Sequence, residues 1–528
     1  MQTLMGIKNI NTLCNTQVYF LSILNESKSI MRASDQMNFK LISIILFISS
    51  LQSIAAPAKA LKGSRPNIIM VMTDDQGMGD LSCMGNEVLK TPNIDKFHSL
   101  STRFTEFHVS PTCAPTRSAI MCGRHEFRNG VTHTINQREL MNINYTTLPQ
   151  VLRTAGYETG IFGKWHLGEQ EKYQPYNRGF SEVFIHGGGA IGKAHAGSCS
   201  DFPPNFKNLY FDNVFLHNDT IVQTKGFCTD VFFQAALGWM KKKYESKTPF
   251  FAYITPNAPH GPMIAPEKYK KRFTDLGWNN EAAGRYGMIE NIDDNFGLLM
   301  QKLDEWNAWD NTLVIFMTDN GMVGKGAKLN GKKVKLYNAG FKSGKGSIYE
   351  GGSHVPAFWR WKGVLGEGVD IKSLTAHIDL FKTFTDLAGA KIPDECQTLD
   401  GRTMLPLLEK ADAKWTDREL FFHRGRWKKG QDPEKSKSKG YAVRTQRWRM
   451  VERRLYDISK DPYEKSDVAS QYPEVMERLT KSYETWWNET LPMMVNEDRP
   501  PVNEHPYVLL YEKQKAERGI PNWLPPKF

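Results

Sequence analysis

The chain has 528 residues, of which 40% are hydrophobic, 12% aromatic and 24% charged. This composition supports a large buried core and excludes global disorder, and no apolar run reaches the ~20 residues that a membrane-spanning helix needs. The net charge of +11, from 68 basic and 57 acidic residues, is compatible with a nucleic acid, an anionic polysaccharide or no specific partner. The length predicts several domains or one large α/β domain with an appendage.

The first 60 residues have the pattern of an export signal. Residues 41–54 form a short apolar run between a lysine and the small-residue segment AAPAKA, as in a secretory signal peptide. The run is too short to span a bilayer, so we expect cleavage after Ala56 or Ala60 and a secreted or periplasmic protein without stable membrane insertion.

The signal pattern does not begin at residue 1, which predicts a misassigned start codon. We expect the true start at Met37 or Met31, with 1–36 outside the protein and about 37–60 forming the signal peptide. Residues 1–60 contain five basic and two acidic residues, a net +3, so the mature chain keeps +8 of the +11.

Apolar runs that end abruptly in polar residues recur along the chain from about residue 65. NIIMVM precedes Asp74, TGIF precedes Lys164, PFFAYI precedes His260 and TLVIFM precedes Asp319. Between them lie helical patterns such as TTLPQVLRTAG and YGMIENIDDNFGLLMQKLDEW. Continuous apolar strands that alternate with helices predict an α/β fold with a mostly parallel sheet covered on both faces. Ligands of such sheets bind beyond the carboxyl ends of the strands, where the polar residues are expected.

The pattern changes after about residue 395. We predict an α/β domain over 61–395 and a smaller α+β subdomain with an antiparallel sheet over 396–528. The segments YAVRTQRWRMV and RRLYDI read as short hairpin strands. DVASQYPEVMERLTKSYETWW reads as one helix, and the Pro-rich end is expected to be extended.

Two of the seven cysteines, Cys199 and Cys228, lie in loop-like segments. They either pair in an oxidising compartment or remain two loop thiols, and the sequence leaves both readings open. No cysteine or histidine spacing is typical of a zinc site.

The segment SPTCAPTRSAIMCGR places Cys113 at or just before the start of a helix, with Arg117 one turn further on. A helix N-terminus and a guanidinium both favour an anion and a thiolate. The alternative is a buried structural cysteine beside a surface arginine.

Acidic and amide side chains follow two of the predicted strands: Asp74 and Asp75 after the first, and Asp319 and Asn320 after a later one. Oxygen donors of this kind suit a hard divalent cation such as Ca²⁺ or Mg²⁺. The alternative is a set of exposed turn residues.

The segment from Cys113 to Arg117, followed by MCGR, resembles the C-x-P-S/T-R…L-T-G-R signature of type I sulfatases in the alkaline-phosphatase superfamily. Thr116 is within the pattern, whereas Cys122 stands where Thr is usual. Seven further segments between about residues 65 and 465 resemble family blocks in the family's order: RPNIIMVMTDDQGMGDLSCMGN, KTPNIDKF, GYETGIFGKWHLG, NAPHGP, VIFMTDNG, GKGSIYEGGSHVP and RRLYDISKDPYE.

The resemblance implies an alkaline-phosphatase-like fold and an enzyme that hydrolyses sulfate esters. It implies that a formylglycine-generating maturation enzyme oxidises Cys113 to Cα-formylglycine (3-oxoalanine). It further implies one divalent metal ion, Ca²⁺ ahead of Mg²⁺. The implied ligands are Asp74, Asp75, Asp319, Asn320 and position 113.

By the same resemblance five residues surround the sulfate group: Arg117, Lys164, His166, His260 and Lys345. The hydrate at position 113 would attack sulfur, His260 or Lys345 would protonate the departing alcohol, and His166 would deprotonate the second hydroxyl. His186 either lines the substrate pocket or belongs to a flexible glycine-rich loop.

The expected substrate is a sulfated glycan or an aryl sulfate, and segments 186–228 and 424–440 are expected to select it. One alternative is a phosphoester or phosphonate ester hydrolase on the same scaffold. Another is a secreted polyanion-binding protein without catalysis, suggested by the charge of +8 and the basic stretch 427–454. No nucleic-acid-binding motif is present in the sequence, and the sequence indicates no oligomeric state.

Overall fold

The computed structural model describes residues 60–192, 201, 210–324, 326–428, 430–496 and 504–528. Ala60–Phe528 forms one compact unit. The predicted leader lies outside the described residues except for its last residue, and so does Cys199. None of the helices in the described residues is long and apolar enough to cross a membrane.

The strands run in chain order as follows: β1 (Asn67–Thr73), β2 (Thr102–Phe104), β3 (Phe107–His108), β4 (Glu158–Lys164), β5 (Glu182–His186), β6 (Val214–His217), β7 (Thr220–Gln223), β8 (Phe250–Thr255), β9 (Thr312–Thr318), β10 (Lys328–Leu329), β11 (Lys332–Lys333), β12 (Ala357–Arg360), β13 (Val369–Ile371), β14 (Thr375–Ala376), β15 (Leu420–His423), β16 (Tyr441–Arg444), β17 (Trp448–Val451) and β18 (Arg454–Asp457).

The α-helices are α1 (Pro92–Ser99), α2 (Cys113–Cys122), α3 (Leu148–Thr154), α4 (Cys228–Glu245), α5 (Glu267–Asp275), α6 (Asn280–Glu305), α7 (Glu350–Ser353), α8 (Asp379–Ala388), α9 (Leu405–Glu409), α10 (Pro473–Thr490) and α11 (Pro506–Arg518).

A ten-stranded mixed sheet in the order β13-β2-β12-β9-β1-β8-β4-β5-β6-β7 forms the centre of the molecule. Its five middle strands, β9, β1, β8, β4 and β5, are parallel to one another. Alternate residues of β1 enter different apolar cores, with Met70 and Met72 on one face and Ile69 and Val71 on the other. Both faces of the sheet are therefore covered, which confirms the predicted α/β fold.

Helices supply the two apolar cores that cover the sheet. Leu380 and Phe384 of α8 pack on one face, and Ile292 and Phe296 of α6 pack on the other. The helical pattern predicted around residue 292 is confirmed, because α6 buries each apolar position expected to face the core: Met288, Ile289, Ile292, Phe296, Leu299 and Leu303.

The C-terminal region contains a second sheet, an antiparallel β15-β16-β17-β18 ladder covered by α10. Tyr441 of β16 stacks on Tyr483 of α10 with ring centroids 4.0 Å apart. This confirms a smaller C-terminal α+β unit, while the boundary at residue 395 stays a prediction. The expectation of an extended end is wrong: α11 begins with Pro506 at its first turn, where proline needs no N–H partner, and continues through good helix formers.

Glu126 is a buried carboxylate that destabilises the fold in its ionised form. Burial raises the pKa of Glu126 from 4.5 to about 7. Its Oε2 lies 3.5 Å from Nδ1 of His125, and that nitrogen offers no proton, because it accepts a hydrogen bond from the Phe127 N–H at 3.1 Å. Because the folded state binds the proton more tightly than the unfolded chain, the cost is complete above about pH 7 and disappears as the pH falls to about 4.5.

We therefore expect Glu126→Gln to raise the free energy of unfolding by up to about 3 kcal/mol at pH 8 and by less than about 1 kcal/mol at pH 5. Urea unfolding at the two pH values measures the difference. Glu474→Gln, at an exposed position in the first turn of α10, is the control. An equal gain at both pH values would contradict the assignment of the cost to ionised Glu126.

Candidate active site

The polar residues predicted at strand ends lie at one edge of the central sheet. Asp74 follows β1, Lys164 ends β4 and Asp319 follows β9. The register pairs Thr73 with Thr318, the last residues of β1 and β9, so the two aspartates leave the sheet side by side. Parallel strands thus bring together residues that are far apart in the sequence.

Cys113 is the first residue of α2 and is buried. Thr112 precedes it in an extended conformation, and the chain turns into the helix there. Arg117, one turn further along α2, donates to Oδ2 of Asp319 at 2.7 Å and to the carbonyl oxygen of Lys164 at 3.0 Å. The helix N-terminus and this guanidinium give the pocket around Cys113 a positive potential.

Each of the three site carboxylates is paired with a cation. Besides the Arg117–Asp319 pair, Lys164 Nζ lies 2.6 Å from Asp74 Oδ2 and Lys345 Nζ lies 2.5 Å from Asp75 Oδ1. Three positive and three negative side chains give the cluster a formal charge of zero. A bound monoanionic ester would make it negative unless a further cation is present.

The surroundings shift the pKa values of these carboxyls in opposite directions. Burial raises the pKa of Asp74, against the opposing effect of Lys164, and burial and Asp74 raise the pKa of Asp319 to about 6. Burial also opposes ionisation of Asp75, but Lys345 and other neighbours hold its pKa well below the usual range. The raised pKa values of Asp74 and Asp319 indicate that the cations of the cluster do not fully stabilise its carboxylates in the ionised form.

The backbone of Asp75 is fixed in an unfavourable conformation. Its φ is 68°, a region that non-glycine residues rarely adopt and that is typical of functional sites. Its N–H donates to Asp319 Oδ1 at 3.2 Å and its carbonyl oxygen accepts from Arg285 at 2.9 Å. These bonds hold the carboxylates of Asp75 and Asp319 so that both face the same space.

The donor atoms fit a divalent metal ion. Ligand atoms of Asp74, Cys113 and Asp319 lie within 4.8 Å of one another. Oδ1 of Asp74 and Oδ1 of Asn320 are buried and have no hydrogen-bond partner in the described part of the chain. Buried oxygens without partners are costly, and a hard cation would satisfy them.

A second acidic cluster does not fit a metal ion as well. Glu106, His108, Glu350 and His354 also bring ligand atoms within 4.8 Å of one another. Two guanidinium groups already compensate Glu350: Arg444 Nε at 3.1 Å and Arg449 Nη1 at 2.6 Å. We therefore interpret this cluster as a structural network behind the pocket.

His166 presents an unprotonated nitrogen to Cys113. Its Nε2 lies 2.9 Å from the carbonyl oxygen of Thr134, which can only accept, so Nε2 carries the proton. Burial and the cations Lys164 and Arg117 hold the pKa of His166 well below its usual range. Nδ1 is then a free acceptor, and it lies 3.5 Å from Cys113 Sγ.

His260 and Lys345 both lie beside the carboxylate of Asp75. His260 Nδ1 lies 2.8 Å from the carbonyl oxygen of Gly261 and therefore carries a proton, which leaves Nε2 directed at Asp75 Oδ2, 3.8 Å away. Asp75 acts against burial to raise the pKa of Lys345, so Lys345 is the protonated group of the two.

His186 is the last residue of β5, paired in register with Lys164, and is fully buried. Neither of its ring nitrogens has a hydrogen-bond partner among the described residues. It lies in the sheet and not in a glycine-rich loop.

Several residues around the site were not predicted individually from the sequence. The carbonyl oxygen of Thr134 sets the tautomer of His166, and Arg285 holds the backbone of Asp75. Arg426, from the loop between β15 and β16, lies beside the Lys345–Gly346 segment. A backbone acceptor has no residue-type signature. Arg426 lies in segment 424–440, which is predicted to select the substrate, but the sequence does not distinguish it from the other basic residues there.

The fold and the site define a hydrolase of anionic esters, with a cysteine at a helix N-terminus inside a cluster of cations and oxygen donors. Family models agree with this class: "Sulfatase" matches residues 66–390, and "N-sulphoglucosamine sulphohydrolase, C-terminal" matches residues 342–488. The chain belongs to the sulfatase family and is a sulfuric ester hydrolase. Membership implies a divalent metal ion and a formylglycine.

Individual relatives cover most of the chain. It is 32% identical to N-acetylgalactosamine-6-sulfatase of Mus musculus over 72% of each protein. It is 29% identical to steryl-sulfatase of Homo sapiens, over 69% of this chain and 73% of that protein. The crystal structure of Ps i-CgsB in complex with k-i-k-neocarrahexaose is similar at a TM-score of 0.70 and 27% identity, covering 86% of this chain and 98% of that one.

Proposed function

We propose that this protein removes sulfate groups from a sulfated glycan, with Ca²⁺ as its metal ion and a formylglycine derived from Cys113 as its nucleophile. The observation that carries the proposal is the position of Cys113. It lies at the start of α2, faces the free Nδ1 of His166 at 3.5 Å, and is surrounded by three cation–carboxylate pairs.

Charge balance supports the metal. The cluster of three cations and three carboxylates is neutral. A bound sulfate monoester would give it a charge of −1, and a divalent cation bound beside that ester would change the total to +1. Asp74, Asp75, Asp319 and Asn320 would hold that cation together with the oxygen at position 113. When bound, the cation neutralises sulfate oxygens and favours ionisation of a hydroxyl at position 113. All of these donors are oxygens, which suits a hard cation such as Ca²⁺ or Mg²⁺, and Ca²⁺ is the ion that the family resemblance favours.

The side chains divide the remaining work. Hydration of an aldehyde at position 113 supplies the oxygen that attacks sulfur. Arg117 and Lys164 stabilise the charge on the sulfate oxygens. Lys345, the protonated group beside Asp75, supplies a proton or positive charge to the departing alcohol, with His260 next to it. His166 accepts a proton at Nδ1 from the second hydroxyl, which releases sulfate and restores the aldehyde.

A glycan is the substrate class that the relatives favour. One relative is named for the 6-sulfate of N-acetylgalactosamine, and one similar structure contains a neocarrahexaose. The predicted mature charge of +8 suits a polyanionic substrate. Export by the predicted signal peptide would expose the enzyme to such glycans, and oxidation of Cys113 requires the maturation enzyme in the producing cell.

The ester preference is tested with 4-nitrophenyl sulfate and 4-nitrophenyl phosphate, which share a leaving group. We expect kcat/KM for the sulfate to be higher by about 10²-fold or more. The neutral cluster, one divalent ion and an ionised hydroxyl at position 113 together carry +1, which a monoanion balances and a dianion exceeds. Stopped assays on enzyme produced with the maturation enzyme measure both values. A preference for the phosphate would assign the protein to the phosphoester hydrolases instead.

A further inference from the structure

Arg424 and Arg426 lie at the start of the loop between β15 and β16, where contacts hold the backbone in place. Gly425, between them, has φ 65°, and a Cβ atom there would lie 1.9 Å from the carbonyl oxygen of Thr132. The Gly425 N–H donates to His423 Nδ1 at 2.9 Å, and the Arg424 N–H donates to the Gly440 carbonyl oxygen at 2.7 Å. Only glycine allows this close approach, which holds the loop against the 132–134 segment.

The loop delivers Arg426 to the entrance of the active site. A Cβ atom built on Gly346, the residue after Lys345, would lie 3.9 Å from Nη1 of Arg426 and 4.0 Å from Cγ2 of Thr112, the residue before Cys113. Desolvation lowers the pKa of Arg426 although its side chain reaches solvent, and Cys113 and Asp75 are near enough to oppose this shift. The guanidinium therefore lies beside the reaction centre and outside the buried cluster.

Arg424 belongs to the same group of charges. Burial and the nearby cations Arg138, Arg426 and Arg424 lower the pKa of His133 to about 3. Segment 132–134 thus lies between the basic loop and the base facing Cys113.

In the part of the chain that the structure describes, neither arginine has a carboxylate partner. Among the described residues no carboxylate oxygen lies within 4.0 Å of Arg424 or Arg426, and both side chains are exposed. Arg117, Lys164 and Lys345, by contrast, are each paired with an aspartate. Two guanidinium groups without carboxylate partners, on a segment whose backbone is held beside the active site, suit an anion that is supplied from outside.

We propose that Arg424 and Arg426 bind a second anionic group of the substrate, a sulfate or a carboxylate on the sugar next to the one that loses its sulfate. This assignment rests on the proposed function and narrows it to glycans with charges on adjacent sugars. Because the loop is ordered before the substrate binds, the contact loses little conformational entropy. The pair therefore determines specificity and takes no part in bond breaking.

The test compares wild type, Arg424→Gln, Arg426→Gln and the double variant. The control is Arg153→Gln, an exposed arginine in the last turn of α3, before the amino end of β4 and so away from the site. Substrates are 4-nitrophenyl sulfate and three disaccharides with the same scissile sulfate. On the second sugar one disaccharide carries a sulfate, one a carboxylate and one no charge. We expect the double variant to raise KM about 30-fold or more for a doubly charged disaccharide and less than about 3-fold for the singly charged substrates.

Calorimetric binding of the disulfated disaccharide to Cys113→Ala enzyme, with and without the arginine substitutions, reports on the subsite without turnover. A loss of affinity specific to Arg424 and Arg426 supports the subsite even if no ester is hydrolysed, in which case only the proposed function fails. Comparison of the carboxylate-bearing and sulfate-bearing disaccharides shows which anion is bound. An equal effect on all substrates, or unchanged KM and affinity for both doubly charged disaccharides, would overturn the proposal.

Discussion

Replacement of Cys113 by alanine is expected to lower kcat/KM for a sulfate ester by about 10⁴-fold or more, because alanine lacks the thiol that is oxidised and the proposed aldehyde nucleophile cannot form. The fold should remain, since alanine is a good helix former and Cys113 is the first residue of α2. Steady-state assays with 4-nitrophenyl sulfate measure the loss, and thermal unfolding checks that the variant is folded.

Cys122, at the other end of α2, provides the matched control. It is buried, and its Sγ lies 3.2 Å from Sδ of Met141, away from the site. Cys122→Ala should keep kcat/KM within about 3-fold and cost about 1 kcal/mol of stability through the lost packing. Mass spectrometry of the peptide that contains Cys113 should show an aldehyde in place of the thiol. An active Cys113→Ala enzyme, or an active wild type with an unmodified thiol, would contradict the assignment of the nucleophile.

The convergence of the site follows from the fold class and was predictable. Asp74 and Asp319 each follow a continuous apolar run, and such runs belong in parallel strands whose carboxyl ends share one edge. The same reasoning places Lys164 at that edge. Residue type then narrows the chemistry, because carboxylates suit a hard cation and a cysteine at a helix N-terminus suits an anion.

Contacts made by backbone atoms and by loops were beyond sequence reasoning. The tautomer of His166 depends on the carbonyl oxygen of Thr134, which any residue at that position would offer. Arg426 reaches the site because Gly425 packs against Thr132, a tertiary contact with no local pattern. Helix α11 shows why the predicted extended end is wrong: prolines favour extended chain in general, but Pro506 lies in the first turn of the helix, where proline is favoured.

The second large effect on activity is expected from a substitution at the proposed metal site. Asp74→Asn is expected to lower kcat/KM by about 10³-fold and to abolish the rise in thermal midpoint that Ca²⁺ produces in chelator-treated wild-type enzyme. The amide has nearly the same shape as the carboxylate but no charge. It leaves Lys164, 2.6 Å away, without its partner, so a divalent ion would enter a cluster that is already positive. Differential scanning fluorimetry across a Ca²⁺ titration measures the shift independently of activity.

The variant Glu106→Gln tests whether the metal ion binds at the other acidic cluster instead. Glu106 lies with His108, Glu350 and His354 in the arginine-compensated network. Glu106→Gln therefore replaces a carboxylate by an amide, as Asp74→Asn does, but in the other cluster that could hold a metal ion. We expect the Ca²⁺-dependent shift and most of the activity to persist in this variant, because two guanidinium groups already neutralise its neighbour Glu350. Loss of the shift in Glu106→Gln, with the shift retained in Asp74→Asn, would move the metal to the second cluster. The proposed role of Asp74 would then be wrong.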